Sequence, residues 1–139
     1  MKYWDTSSLV PLIIEEASST EMEAVIREDP GVATWWGTRV ECLSAIRRRE
    51  REGKLDAGEA RQASILLETL AKDWAEVQPE HEVRSVAARM LAVHPLSASD
   101  AFQLAAAIRW ASEITEGATM VTLDERLKEA ASREGLVCP

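Results

Sequence analysis

Segments with apolar residues at helical spacing alternate along nearly the whole chain with short runs of consecutive apolar residues. Capping residues, glycine and proline separate these segments, as expected where helices and strands begin and end. The pattern predicts helices over residues 9–14, 21–28, 38–52, 56–73, 82–93, 97–114 and 124–133. It predicts short strands over residues 3–4, 31–34, 74–77, 119–122 and 136–138. Pro11 is expected in the first turn of the first helix, where proline is tolerated.

Strands that alternate with helices favour a parallel sheet covered by helices on both faces. We therefore predict an α/β chain with four or five short, mostly parallel strands, organised as one domain over residues 1–139. No internal repeat, low-complexity segment or linker divides the sequence. Ligands of such sheets bind at the carboxyl ends of the strands, so polar residues near those ends are the first candidates for a functional site.

Four acidic residues stand close to the starts of predicted helices. They are Asp5, Glu41, Asp100 and Asp124. Each has a structural explanation of its own, because the three aspartates suit helix caps and the glutamate suits a solvated helix face. Together they would lie close to one another, and like charges at short range need a counter-ion. Carboxylate oxygens suit Mg²⁺ or Mn²⁺, and such a site suits phosphodiester hydrolysis.

Composition narrows the class of protein. Hydrophobic residues make up 46% and charged residues 29%, which is typical of a globular chain and excludes a disordered one. No apolar run approaches the length of a membrane span, and Asp5 precedes any signal-type apolar core. Cys42 and Cys138 are too few for a disulfide framework or a four-thiolate zinc site. We expect a cytoplasmic protein with no membrane association.

The net charge of −8 argues against coating nucleic acid through bulk charge, but it does not exclude a nuclease with an acidic metal site. Charge is also segregated along the chain. Residues 39–54 hold six basic and three acidic residues, whereas residues 15–29 hold one basic and six acidic residues. Arg47 and Arg48 are therefore candidate RNA-phosphate contacts. The alternative is a solvated helix end, where cations are favourable.

Four segments, each built around one of the four acids, resemble a known set of motifs. They are 3–10, 39–48, 96–107 and 120–131. In this order they are similar to the motifs of PIN-domain ribonucleases, especially the VapC-type toxins of bacterial toxin–antitoxin pairs. Two departures are visible: Pro11 stands where lysine is frequent, and Gln103 stands where histidine is frequent. Neither is a metal-coordinating position, so both bear on substrate contacts or packing.

The resemblance implies a three-layer α/β/α fold and an endoribonuclease that depends on Mg²⁺ or Mn²⁺. It implies an antitoxin partner and a homodimer. The metal-site acids would be Asp5, Glu41, Asp100 and Asp124. Thr6 and Thr122 would flank the site and hold waters or phosphate, although Thr6 equally suits a helix cap.

Three alternatives to a toxin remain open at this point. The first is an RNA-maturation nuclease with the same fold and no antitoxin. The second is a Mg²⁺-binding phosphoacceptor signalling module. Such a module is expected to have a lysine at the end of a late strand, where this chain has Asp124. The third is a catalytically silent binding module, against which the presence of all four acids argues.

Overall fold

Seven helices and four short strands form the fold, and a computed structural model describes all 139 residues. The strands are β1 (Lys2–Trp4), β2 (Val32–Trp35), β3 (Ala75–Val77) and β4 (Met120–Val121). The helices are α1 (Thr6–Ile13), α2 (Ser19–Glu28), α3 (Thr38–Arg51), α4 (Ala57–Ala71), α5 (His81–Val93), α6 (Ala98–Ala111) and α7 (Glu125–Arg133).

The strands form one sheet in the order β3-β2-β1-β4, and every neighbouring pair is parallel. Tyr3 of the central strand β1 lies opposite Ala33 on one side and Met120 on the other. The expected final strand at 136–138 is reduced to a single parallel bridge between Thr119 and Val137. The predicted parallel sheet is therefore confirmed, with four strands.

Helices cover both faces of the sheet. Neighbouring β1 residues point to opposite faces, so each packs against a different layer of helices. Tyr3 belongs to a buried cluster that includes residues of α5, α6 and α7. Trp4 belongs to a second cluster that includes residues of α1, α2, α3 and α4. Both side chains are fully buried. This arrangement confirms the three-layer α/β/α fold.

The first helix begins three residues earlier than its apolar run suggests. The side chain of Asp5 accepts hydrogen bonds from the backbone N–H groups of Ser7 and Ser8, so the helix starts at Thr6. Pro11 therefore lies inside α1, and the prediction that it stands in the first turn is wrong. The capping aspartate, which the apolar pattern does not include, explains the difference.

The sixth helix ends before its predicted limit at residue 114. After Ala111 the backbone forms hydrogen bonds to the residue three positions back, as in a 3₁₀ turn: the N–H of Glu113 donates to the carbonyl of Trp110, and the N–H of Ile114 donates to that of Ala111.

The longest helix, α4, has 15 residues. None of the helices combines the length and the apolar character that crossing a bilayer requires.

Candidate active site

Four acidic side chains line one cleft of about 570 Å³. They are Asp5, Glu41, Asp100 and Asp124. Three of them sit at the start of the helix that follows β1, β2 or β4, and the fourth sits at the start of α6. The helices α1, α3 and α7 begin where parallel strands end, so their first turns meet at the carboxyl edge of the sheet. The structure thus brings together all four acids that the sequence singled out.

Asp5 is the most buried of these acids, with 3% of its surface exposed. It is also the N-cap of α1, so the structural explanation and the placement in the cleft hold together. Its Oδ1 accepts from the hydroxyl of Ser7 at 2.8 Å, and its Oδ2 accepts from the Ser7 backbone at 3.2 Å. Burial raises the pKa of Asp5 to about 6, and the hydrogen bonds from Ser7 and Ser8 oppose that rise.

Glu41 projects from the first turn of α3, and one of its oxygens is held in place. The hydroxyl of Thr6 donates to Oε2 at 2.6 Å, and the amide Nε2 of Gln103 lies 3.3 Å from the same atom. Burial raises the pKa of Glu41, these two hydrogen bonds lower it, and the nearby charge of Asp100 raises it again. Neither bond involves Oε1, which stays available for a ligand in the cleft.

Asp100 and Asp124 stand at the starts of α6 and α7. Burial raises the pKa of Asp100, a hydrogen bond with Ser97 lowers it, and the charge of Asp124 raises it. Asp124 is the N-cap of α7, and its Oδ1 accepts from the backbone N–H of Leu127 at 2.8 Å. The charge of Asp100 in turn raises the pKa of Glu41, so Asp100 interacts electrostatically with two of the other three acids.

Comparison with known proteins agrees with this geometry. The family model of the PIN domain matches residues 2–132. The chain belongs to the PIN domain family. Proteins of this family are generally metal-dependent nucleases, which supports a hydrolase acting on nucleic acid.

The fold of this PIN domain also resembles a solved structure. The crystal structure of PAE2754 from Pyrobaculum aerophilum matches it with a TM-score of 0.64 and 23% sequence identity. The match covers 99% of this chain and 83% of the other. At this level of identity the likeness supports the fold alone. None of the curated proteins compared with the sequence matches it.

The donor set of the cleft fits a hydrated divalent ion. Mg²⁺ commonly takes one or two protein carboxylates and keeps several waters. Four carboxylates face this PIN cleft, and the burial of Asp5 opposes its charge unless a cation compensates it. No three acidic, histidine or cysteine side chains are arranged as a ready-made ligand cage. The residues therefore suit an ion held partly through water and substrate.

The two threonines of the sequence prediction have different surroundings. Thr6 lines the cleft and donates to Glu41, while Asp5 and not Thr6 caps the helix. Thr122 is buried and accepts from the backbone N–H of Asp124 at 3.1 Å. Its hydroxyl also lies 3.3 Å from that of Ser7. Thr122 is therefore placed to hold the backbone near Asp124, whereas Thr6 touches an acid of the cleft directly.

Three consecutive arginines of α3, at positions 47–49, differ in their surroundings. Arg48 lines the cleft, is exposed and forms no ion pair with another residue. Arg49 also lines it, but its guanidinium pairs with Glu16. Arg47 does not line the cleft, and it pairs with Glu50 at 3.1 Å. The structure thus places Arg48 in the wall of the acidic cleft and Arg47 outside the cleft.

Two further polar residues contact the acids of the cleft: Ser7, which the sequence did not single out, and Gln103, which the sequence marked only as a departure from the family's pattern. The Ser7 hydroxyl donates to Asp5 and accepts from the backbone N–H of Leu123, which joins α1 to the end of β4. The buried amide of Gln103 contacts Glu41. A signal for Gln103 was present, because it lies three residues after Asp100 and residues at that spacing share a helix face.

No cysteine or histidine side chain lines the cleft beside the carboxylates. Cys42 is fully buried, and burial raises the pKa of its thiol to about 12, so it stays protonated. His94 is buried and bonded to Glu134 at 2.8 Å, and His81 contacts Arg84. Both histidines therefore make their contacts outside the cleft.

A larger groove of about 740 Å³ lies between the end of α1 and the exposed side of α4. Its walls include Ile13, Ile65 and Leu66. Two of its three acidic residues, Asp56 and Glu59, are engaged in the capping box of α4, which leaves Glu15 as the third. The smaller cleft, which holds four acids, is therefore the candidate active site.

Proposed function

We propose that this PIN domain is a Mg²⁺- or Mn²⁺-dependent endoribonuclease that hydrolyses RNA and leaves 5′-phosphate and 3′-hydroxyl ends. One observation carries the proposal, namely that four carboxylates from four separate helices line a single cleft. Such a concentration of negative charge is unfavourable without a cation. The family supplies the expectation of nuclease chemistry, and the acidic donor set supplies the expectation of a hard divalent ion.

The proposed metal-site acids are Asp5, Glu41, Asp100 and Asp124. A divalent ion held by them would supply a more acidic bound water and would offset charge at the scissile phosphate. The protein's own part is positional. The N–H groups of α1 fix the Asp5 carboxylate, and Thr6 fixes one oxygen of Glu41. Thr122 supports the site through the backbone of Asp124.

Arg48 and Arg47 are the proposed RNA contacts. The protein is acidic overall, so an RNA strand needs a locally basic approach to the cleft. Arg48 offers an unpaired guanidinium at the cleft wall, and guanidinium groups bind phosphate through paired hydrogen bonds. Arg47, one residue before it and outside the cleft, would meet a phosphate farther along the strand after release from Glu50.

The biological setting we propose is a VapC-type toxin in the cytoplasm, paired with an antitoxin and assembled as a homodimer. The order of the four motifs supports the toxin subtype. Both cysteines are free thiols, which suits a reducing compartment. Exposed apolar side chains on α4 and α5, among them Ile65 and Leu91, provide surface that a partner or second copy can cover. Light scattering that finds a monomer at micromolar concentration would contradict the dimer.

A phosphoacceptor signalling module is less well supported. No lysine lines the cleft, although a receiver-type site would need one near the phosphorylated acid. Both oxygens of Asp5 accept hydrogen bonds from Ser7, which leaves less room for attack on a phosphoryl donor. Labelling with acetyl phosphate would test this alternative, and we expect none.

The test of the proposed function uses one RNA oligonucleotide and a DNA oligonucleotide of the same sequence. Each is incubated with the purified protein and Mn²⁺, and the product ends are typed by their response to phosphatase and ligase. We expect cleavage of the RNA with 5′-phosphate products. Products with a 2′,3′-cyclic phosphate, or cleavage of DNA alone, would contradict the proposal.

A further inference from the structure

Gln103 is a buried amide directly followed in α6 by four apolar residues. Its neighbours Leu104, Ala105, Ala106 and Ala107 are all fully buried, and Gln103 itself is 1% exposed. Burying an amide costs free energy unless each polar atom has a partner. An apolar side chain of similar volume would fill the same space without that requirement. The contacts of the Gln103 amide should therefore show why a polar side chain occupies this position.

The contacts of Gln103 link the sheet to the cleft. Its Oε1 accepts from the hydroxyl of Tyr3 at 2.8 Å. Its Nε2 lies 2.9 Å from Oγ1 of Thr38, 3.2 Å from Oγ1 of Thr6 and 3.3 Å from Oε2 of Glu41. Two N–H bonds thus serve three acceptors, and two of those acceptors belong to the cleft wall.

The partners fix which way the amide points. A carboxylate only accepts hydrogen bonds, so the amide must present its N–H group to Glu41 and not its carbonyl. The Tyr3 hydroxyl donates to the opposite end and holds that orientation. Thr6 donates its own proton to Glu41 and so accepts from Gln103. The result is a closed triangle of Gln103, Thr6 and Glu41.

We infer that Gln103 is a positioning residue that holds the Glu41 carboxylate so that Oε2 is occupied and Oε1 faces the cleft. Gln103 is buried and does not line the cleft, whereas its partners Glu41 and Thr6 do, so it would act on a ligand only through them. The inference rests on the proposed function in one respect only, in that Glu41 is taken as a metal-site acid. Mutation of a residue that orients a metal-ligating carboxylate commonly weakens metal affinity by about 10- to 100-fold.

Gln103→Met tests the inference, because it keeps the length of the side chain and removes both polar atoms. High-resolution structures of the metal-free wild type and variant should show Glu41 in one rotamer in the first and displaced or divided between rotamers in the second. Titration calorimetry with Mn²⁺ should show affinity weaker by about 10-fold or more in the variant. Tyr3→Phe should shift both readouts in the same direction by less.

Two further variants separate positioning from general destabilisation. Leu104→Met changes the neighbouring core residue without touching the network, and it should leave Mn²⁺ affinity unchanged even where it lowers the melting temperature. In a Glu41→Gln background, Gln103→Met should alter Mn²⁺ affinity by less than about twofold, because the group that it positions has lost its charge. Equal weakening in both backgrounds would overturn the inference.

The inference and the proposed function fail in different ways. If the protein cleaves no RNA, the proposed function is wrong, while the Glu41 rotamer still decides the role of Gln103. If RNA is cleaved, Gln103→Met should lower kcat with little change in KM. An unchanged Glu41 rotamer together with unchanged Mn²⁺ affinity would overturn the inference even for an active enzyme.

Discussion

Thr6 donates a hydrogen bond to Glu41 at 2.6 Å and thereby ties the residue after Asp5 to the helix that follows the neighbouring strand. Thr6 is adjacent to Asp5 in the chain and hydrogen-bonded to Glu41, so it connects two acids of the cleft that lie 36 positions apart in the sequence. Thr6 has no capping role that would explain it otherwise, because Asp5 caps α1. The bond therefore links the first of the four motifs directly to the second.

Thr6→Val should lower RNA cleavage by about 10-fold or more, because the isosteric change removes the donor to Glu41 and leaves the packing intact. Thr6→Ser keeps the hydroxyl and should retain most activity. Rates are compared under saturating Mn²⁺ and RNA. Equal activity of the valine variant and wild type would show that this bond does not serve the reaction.

The buried carboxyl of Asp5 should make the metal-free protein less stable as pH rises from about 4 to 6. Its pKa is about 6 in the folded protein against 3.8 as the ordinary value, so the folded state holds the proton more tightly than the unfolded state. The free energy of unfolding should therefore fall by about 3 kcal/mol across this window from Asp5 alone. Glu41 and Asp100, whose pKa values are also raised, act in the same direction.

Urea unfolding at several pH values with a chelator present measures this dependence. Asp5→Asn keeps the cap and removes the titration, so the difference between wild type and variant isolates Asp5. Asp56→Asn changes the N-cap of α4 outside the acidic cleft and serves as the matched control. If the wild-type and Asp5→Asn curves run parallel from pH 4 to 6, the raised pKa is wrong.

Asp124 should show two separable roles. Asp124→Asn keeps an N-cap for α7 and should preserve the melting temperature while lowering metal affinity. Asp124→Ala also removes the cap and should cost about 1 kcal/mol of stability in addition. Calorimetry with Mn²⁺ and thermal unfolding measure the two effects. Unchanged Mn²⁺ affinity in both variants would remove Asp124 from the metal site.

Arg48→Ala should weaken RNA binding more than Arg47→Ala. Arg48 is unpaired at the cleft wall, whereas Arg47 is held by Glu50 outside it. Loss of one phosphate contact should reduce the slope of log K against log salt by about 0.7 for a single strand. Binding of a fluorescent RNA to the catalytically silent Asp5→Asn protein at several salt concentrations measures this slope. A lower melting temperature with an unchanged slope would favour a purely structural role at the helix end.

The sequence was sufficient to predict the helix and strand layers of the fold and the proximity of the four acids, because both predictions depend on local patterns. Periodic apolar residues identify the helices, and an acid at a helix start after a strand is visible without knowing its neighbours. The parallel order of the strands then brings Asp5, Glu41 and Asp124 to one edge.

Long-range hydrogen bonds account for what the sequence did not reveal. The bonds of Gln103 to Tyr3 and Glu41 span 100 and 62 positions, so no local pattern indicates them. The same holds for Ser7 and Leu123, which lie 116 positions apart. Local chemistry also outweighed the apolar pattern at α1, where the Asp5 cap moved the helix start and placed Pro11 inside it.

Cleavage of total RNA with and without Mn²⁺, followed by mapping of the new 5′ ends, tests the central claim most directly. Wild type and Asp56→Asn should generate discrete 5′-phosphate ends with Mn²⁺ and none with a chelator. Asp5→Asn, which retains the helix cap, should lose activity by orders of magnitude at the same metal concentration. Cleavage by Asp5→Asn at the wild-type rate, or wild-type cleavage that persists in the chelator, would contradict a metal-dependent nuclease built on the four acids of this cleft.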